Sequence, residues 1–313
     1  YAFELAKKSA ERALSMDPGS NEATTLIARS YLAQVAAIKN AKIESLDGVR
    51  ANLNMVAMAM GPKVLGKAMV DCARDSQPLV AVAAIEALGN TTDKDSLATS
   101  PLVAALDSTN KMIAYNAALA LTKASRSNNV PQSDKVVGVL AKAIAEEALL
   151  RITQVGLDAP SKVVTASSKP RGNLIEDATT VRGTTEAILV GAQAPDVLVI
   201  NEVLEDGIPE TLIGLLSKND TTNHIKVIIL AKDAEKATER FGDTVAGLIQ
   251  AGFDAKTFNA KDAEVMQGVD RDPREVRAAK IAVSASNALH TLASNRVAIS
   301  GAAASLAAQL NRQ

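Results

Sequence analysis

Gly61 to Ala68, GPKVLGKA, carries the G-x-x-x-x-G-K spacing of a loop whose backbone amides cradle phosphate while its lysine neutralises charge. The Ser or Thr that should follow to reach Mg²⁺ is Ala68, the intervening residues are bulky, and the flanks have helical periodicity. A turn between two helices is therefore expected there. His224 and His290 lie far apart and neither has a nucleophile beside it, which points to surface or satisfied core residues rather than a ligand pair or base. Cys72, in MVDCARD, reads as a small buried hydrophobe rather than a reactive thiol. Asp270 to Arg277, DRDPREVR, places acids at a helix start with arginine a turn later, which suits a solvated helix start or an interface rim. No nucleophile, base and orienting group come together, so a hydrolase is the least favoured reading and no cofactor or metal is expected.

The elements that would position any site follow from composition and period. With 313 residues the chain can form two or three domains, each burying its own core without disulfide or metal staples. Lys plus Arg number 34 against 35 for Asp plus Glu, and no dense basic run could track a nucleic acid backbone, so no nucleic acid partner is expected. Charged residues interrupt every Ala-rich segment before it reaches the roughly 18 apolar residues of a membrane helix, so no membrane span and a soluble protein are expected. The sequence starts at Tyr1 inside a helical pattern, so upstream residues are expected to be missing. A cytoplasmic location is the default, with export or a compartment lumen left open. Aromatics are only 2% of residues while Ala is abundant, which suits closely approaching helices.

Residues 1–40 show apolar positions at helical spacing (Phe3, Ala6, Ala10, Leu14), a DPGS break, then Ala23, Ile27 and Tyr31. DSQPLVAVAAIEALG from Asp75 and DSTNKMIAYNAALAL from Asp107 share an opening Asp-Ser. Their apolar positions also match, Val80 with Ile113, Ala84 with Ala117, Ala87 with Ala120 and Leu88 with Leu121, each pair 33 residues apart. LDGVRANLNMVAMAM is a fainter copy, and SDKVVGVLAKAIAEEALL supplies a further helix. From about 160, β-branched runs alternate with helices. KVVTAS, ATTVRG, DVLVIN, KVIILA and DAKTFN are the predicted strands, and TTEAILVGAQ, PETLIGLLSK and DTVAGLIQAG the predicted helices. Near Val269 the β signal stops and DRDPREVRAAKIAVSASNALHTLAS returns to helix, with Val276, Ala279, Val283, Ala288 and Leu292 as its predicted buried stripe.

Four resemblances attach to these segments. ALSMDP and NEA in residues 1–40 resemble the end of a tetratricopeptide repeat, and the 33-residue units of 41–150 resemble HEAT-type repeats stacked as an α-solenoid. Residues 269–313 resemble a further HEAT-like helix. Residues 160–268 resemble a bacterial response-regulator receiver, through EAILVGAQAPDVLVIN, LLSKNDTTNHIKVIILAK and AGFDAKTFNA in that order; KPRGNLIED, which leaves only a short first helix, departs from the pattern. The expected fold class is thus multidomain α and α/β: an α-solenoid of HEAT-like repeats plus a doubly wound parallel-sheet pseudo-receiver domain.

The receiver resemblance implies five chemical positions at strand ends, and none carries the required group. Its Mg²⁺-holding acidic pair falls on Ser167 and Ser168, its phosphoacceptor on Asn201, its switch hydroxyl on Ala231 and its phosphate-pairing lysine on Asn259. An amide is no nucleophile, and neutral Ser and Asn offer Mg²⁺ no charge. Glu202 is expected to point to the other face of the sheet, whereas Glu205 and Asp206 could reach back from the loop. The expected function is a non-enzymatic scaffold or assembly subunit of a larger bacterial complex, with protein partners and possible self-association. The alternative is a signalling adaptor whose pseudo-receiver answers to a ligand or partner instead of phosphate.

Overall fold

The structure, a computed structural model, describes residues 2–41, 44–75, 77–125, 129–147, 149, 151–155, 174–178, 195–204, 207–218, 222–267 and 272–310. The chain forms two compact units, one of residues 1–148 and 275–313, the other of 149–274. The first is helical and the second holds a parallel sheet, a multidomain α and α/β architecture.

The helical unit opens with α1 (Ala2–Met16) and α2 (Asn21–Ala41), which pack on each other across the expected break. At that break the Asp17 carboxylate accepts from the Gly19 amide at 3.1 Å and the Ser20 hydroxyl accepts from Ala23 at 3.2 Å, so one helix is stopped and the next started locally. There follow α3 (Asp47–Ala59), α4 (Gly61–Arg74), α5 (Pro78–Thr91), a 3-10 turn at Lys94–Thr99, α6 (Pro101–Ala105), α7 (Lys111–Ser125) and α8 (Ser133–Ala145). Proline stands in the first turn of α4, α5 and α6, where its missing N–H costs nothing. Ser100 caps α6 through Leu102, and Asn110 caps α7 through Met112 at 3.0 Å.

Packing runs from α4 to α5 to α7 to α8. α5 is apolar nearly all round because α2, α3, α4 and α7 surround it. Small side chains set the spacing: a Cβ on Gly89 of α5 would lie 2.9 Å from the Ala120 Cβ of α7, so glycine permits that approach. At the far end of α7, the Tyr115 hydroxyl donates to Glu146 at 2.5 Å and the Lys111 ammonium reaches the same carboxylate, tying the end of α8 to α7. Burial, followed by the bond to Glu146, pushes the Tyr115 phenol strongly upward, so it remains a donor.

α12 (Asp272–Ser294), a 3-10 turn at Ser300–Ala302 and α13 (Ala303–Leu310) complete the helical elements, and both the 3-10 turn and α13 pack on α8. The α12 stripe differs from expectation. Val276, Ala279 and Val283 are exposed, whereas Ala278, Ile281, Ala285, Leu289 and Leu292 are buried along with Ala288. Both sets recur at helical spacing, so period alone could not choose between them.

In the second unit β1 (Arg151–Val155), β2 (Leu174–Ala178), β3 (Val197–Asn201), β4 (Lys226–Ala231) and β5 (Gly247–Gln250) form one parallel sheet in the order β2-β1-β3-β4-β5. Leu198 and Ile200 of β3, with Val227 and Ile229 of β4, pack on one face against α9 (Pro209–Ser217) and α10 (Ala234–Phe241). Val197 and Val199, with Ile228, Leu230 and Ile249, pack on the other face with Phe258 and Val265 of α11 (Ala255–Met266). Both faces are covered, which is why β3 and β4 read as continuous apolar runs rather than alternating ones.

Among the described residues the sheet contains two strands that were not expected, β1 at 151–155, just past the stretch read as helical repeat, and β2 at 174–178. The α/β unit runs from Leu149 to Arg274, against the expected 160–268. One strand expectation is corrected: β5 is 247–250, inside the predicted helix DTVAGLIQAG, while DAKTFN opens α11, because the Asp254 carboxylate accepts from the Thr257 amide at 2.8 Å and hydroxyl at 2.7 Å as a helix cap. KVVTAS, TTEAILVGAQ and all of ATTVRG but Ala178 lie outside the described residues.

Candidate functional site

In open parallel sheets ligands gather at the carboxyl ends of the strands. At that mouth Asn201 ends β3, and the buried methyl of Ala231 ends β4. Asn201 and Ala231 thus stand at strand ends, with an amide and a methyl as their side chains. Ser167 and Ser168, together with Glu205 and Asp206, lie outside the described residues. β1 ends at Val155, before the two serines in sequence. Asn259 is on α11, not at a strand end, and its side-chain oxygen is buried without a hydrogen-bond partner among the described residues.

Glu202 differs from expectation. Its backbone leaves the strand just after Asn201, donating to the Leu230 carbonyl at 3.0 Å, and the released side chain turns to β4. Its Oε1 accepts the Lys232 backbone N–H at 2.8 Å. The amide immediately beyond β4, an N–H that could have held an external anion, is thus taken by a carboxylate of the chain itself. Nothing local in the sequence marks this contact, since the partner amide lies 30 residues away.

The neighbouring charges are matched in the same way. Asp233 caps α10, accepting from the Glu235 amide at 3.1 Å and the Lys236 amide at 3.2 Å. The Lys236 amide, then its side chain, holds the Asp233 carboxyl below the usual carboxylate range. Arg240 on α10 grips Glu210 on α9 with two bonds, 2.5 Å from Nε to Oε1 and 3.0 Å from Nη2 to Oε2, and a third donor reaches the Glu202 carbonyl at 3.4 Å. The guanidinium holds Glu210 low, although both groups are substantially exposed and the pair contributes only modestly to stability. These amides and this arginine could greet a phosphate, but each already has an internal acceptor.

The remaining candidates take structural places. Gly61 to Ala68 lies in α4 and begins at a glycine with φ of 84°, a turn into a helix rather than a phosphate loop. Cys72 is fully buried, and burial pushes its thiol up to about 11 against the opposing pull of Arg29. His224 and His290 are both exposed. Among the described residues no group of three or more His, Cys, Asp or Glu side chains could hold a metal ion, and no helix is long and apolar enough to cross a membrane. No family model and no curated protein matches the chain.

Proposed function

We propose that the protein is a non-enzymatic interaction scaffold or assembly subunit that joins an α-solenoid of HEAT-like repeats, entered through tetratricopeptide-like helices, to a doubly wound pseudo-receiver. The observation that carries this reading is α3. Of its 13 residues only Ala57 is buried, while Val49, Met55 and Val56 are exposed. Apolar side chains left exposed together on a surface are a mark of interaction sites. Val70 on α4, which packs on α3, is a further exposed apolar side chain.

Repeat architecture is supported by Ala84 and Ala117, which match in register and are both at 0% exposure. The strand order and the cores on both faces of the sheet support a flavodoxin-like, doubly wound unit. Glu202 supports phosphate independence, because its carboxylate already supplies the anion that the Lys232 amide would recruit. A scaffold copurifies with its partner at fixed stoichiometry and gains no thermal stability from small ligands. Recovery as a free monomer from native extract, or a ligand-dependent rise in Tm, favours the sensor reading instead.

A further inference from the structure

The α/β unit is an insertion in the chain. The helical unit is built from two separate stretches, 1–148 and 275–313, and everything between them belongs to the sheet unit. Both ends of the insertion are secured. On the way out, Glu146 at the end of α8 is held by Lys111 and by the Tyr115 hydroxyl, both on α7. At the crossing, the Leu149 amide donates to the Arg274 carbonyl at 3.2 Å, and the Leu149 side chain is fully buried. The first and last residues of the α/β unit are therefore bonded to each other by its own fold.

The returning chain completes the helical unit with little surface. The 3-10 turn at Ser300–Ala302 and α13 pack on α8, yet among the described residues beyond Leu292 only Ala302 is buried. Gly301 stands where an added Cβ would be 3.6 Å from Val137 of α8. A helix of 8 residues does not persist without such support. A contact this small depends on how its tether is held. With the α/β unit folded, the Leu149–Arg274 bond makes the connection from α8 to α12 equivalent to a very short loop. Unfolded, the same connection is a flexible loop of about 125 residues. Closure entropy grows as (3/2)RT ln n, so the docked population falls roughly a hundredfold relative to a loop of about six.

We propose that the α/β unit is a folded clip in the helical unit: its fold closes the chain between α8 and α12, and its unfolding releases the 3-10 turn and α13 from α8. The coupling is reciprocal, as linkage requires. A partner that binds and stabilises the α/β unit also strengthens the contact of α13 with α8, and loss of that partner weakens it. The inference goes beyond the scaffold reading and does not rest on it, since it concerns only how one part of the chain holds another.

The test uses the full chain with a donor and an acceptor dye on Asp134→Cys in α8 and Ala304→Cys in α13, both exposed sites, while burial shields Cys72 from labelling. Energy transfer is followed through a urea titration beside the NMR signals of Leu198 and Ile228 in the sheet and of Leu88 and Leu121 in α5 and α7. Transfer should be lost at the midpoint of the sheet signals, with Leu88 and Leu121 persisting to higher urea. Phe258→Ala, which removes a ring from the sheet core, should lower the transfer and sheet midpoints by the same amount and leave those of Leu88 and Leu121 in place. Val265→Ala, a smaller truncation in the same core, gives the same reading if Phe258→Ala does not fold. Loss of transfer ahead of the sheet, loss together with Leu88 and Leu121, or a transfer midpoint that the core truncations do not move overturns the proposal.

Discussion

The two units fill their cores with different mixtures. In the helical unit Leu65, Ile85, Leu88, Leu121 and Leu140 share the interior with Ala81, Ala84, Ala87, Ala117 and Ala118, and Gly89 admits the Ala120 backbone. In the α/β unit branched aliphatics are joined by Phe258 and Phe241, with alanine in a minor place. Where small side chains bring helix axes close there is no room for added atoms, whereas a large one spanning from sheet to helix leaves a void when removed. The alanine positions of the helical unit should thus be intolerant of growth and the phenylalanine positions of the α/β unit of truncation.

The largest expected effect is Phe258→Ala, which removes the ring joining α11 to Val199 and Ile249 and should cost about 3 to 5 kcal/mol, read from the urea midpoint. A loss below that range would mean the α11 layer collapses onto the sheet and that the contrast between units is weak. Next, Ala84→Leu and Ala117→Leu should each destabilise by about 1 to 3 kcal/mol through overpacking, since both sites are fully buried. Unchanged midpoints for both variants would break the 33-residue register as well as the comparison.

Smaller effects separate polar from apolar support. Glu202→Ala removes the acceptor of the Lys232 amide and should cost about 1 kcal/mol, with faster exchange at that amide and little change in the helical unit. Acidification should act similarly. Asp233, Asp254 and Glu210 all have folded-state values below their unfolded ones, so the stability they contribute is complete above the unfolded carboxylate range near pH 4 and is lost as pH falls through the lower folded values. Asp233→Asn combined with Asp254→Asn should flatten the dependence of α/β-unit stability on pH between neutrality and the acid limb; an unaltered slope would assign acid sensitivity elsewhere. At the bottom of the scale, acetyl phosphate with Mg²⁺ should leave no phospho-mass shift on residues 149–274, because Asn201 has no nucleophilic oxygen of the required kind.

Parts of this structure were legible where two local signals agreed. β3 and β4 combine β-branched runs with turn residues at their ends, and α9 begins at Pro209 as its sequence suggests. β5 was not legible because GLIQ shares its apolar spacing with a helix, and the cap that excludes DAKTFN from a strand depends on one Asp254 to Thr257 contact. For the mouth of the sheet, sequence alone put Asn201 and Ala231 at the ends of strands, and they end β3 and β4. It misplaced Asn259, and it directed Glu202 away from the contact it makes.

By itself the sequence determined what is settled within a few residues: the breaks at Asp17 to Gly19 and Ser100 to Pro101, the Ala-rich helices, and the apolar runs of β3 and β4. Tertiary structure decided which of two apolar stripes on α12 is buried, that Arg151 to Val155 becomes a strand beside both β2 and β3, and that Glu202 meets Lys232. The physical reason is range. Caps and periodicity act through neighbours along the chain, whereas a parallel strand or a side-chain bond to a distant amide is stabilised only by partners that folding brings together.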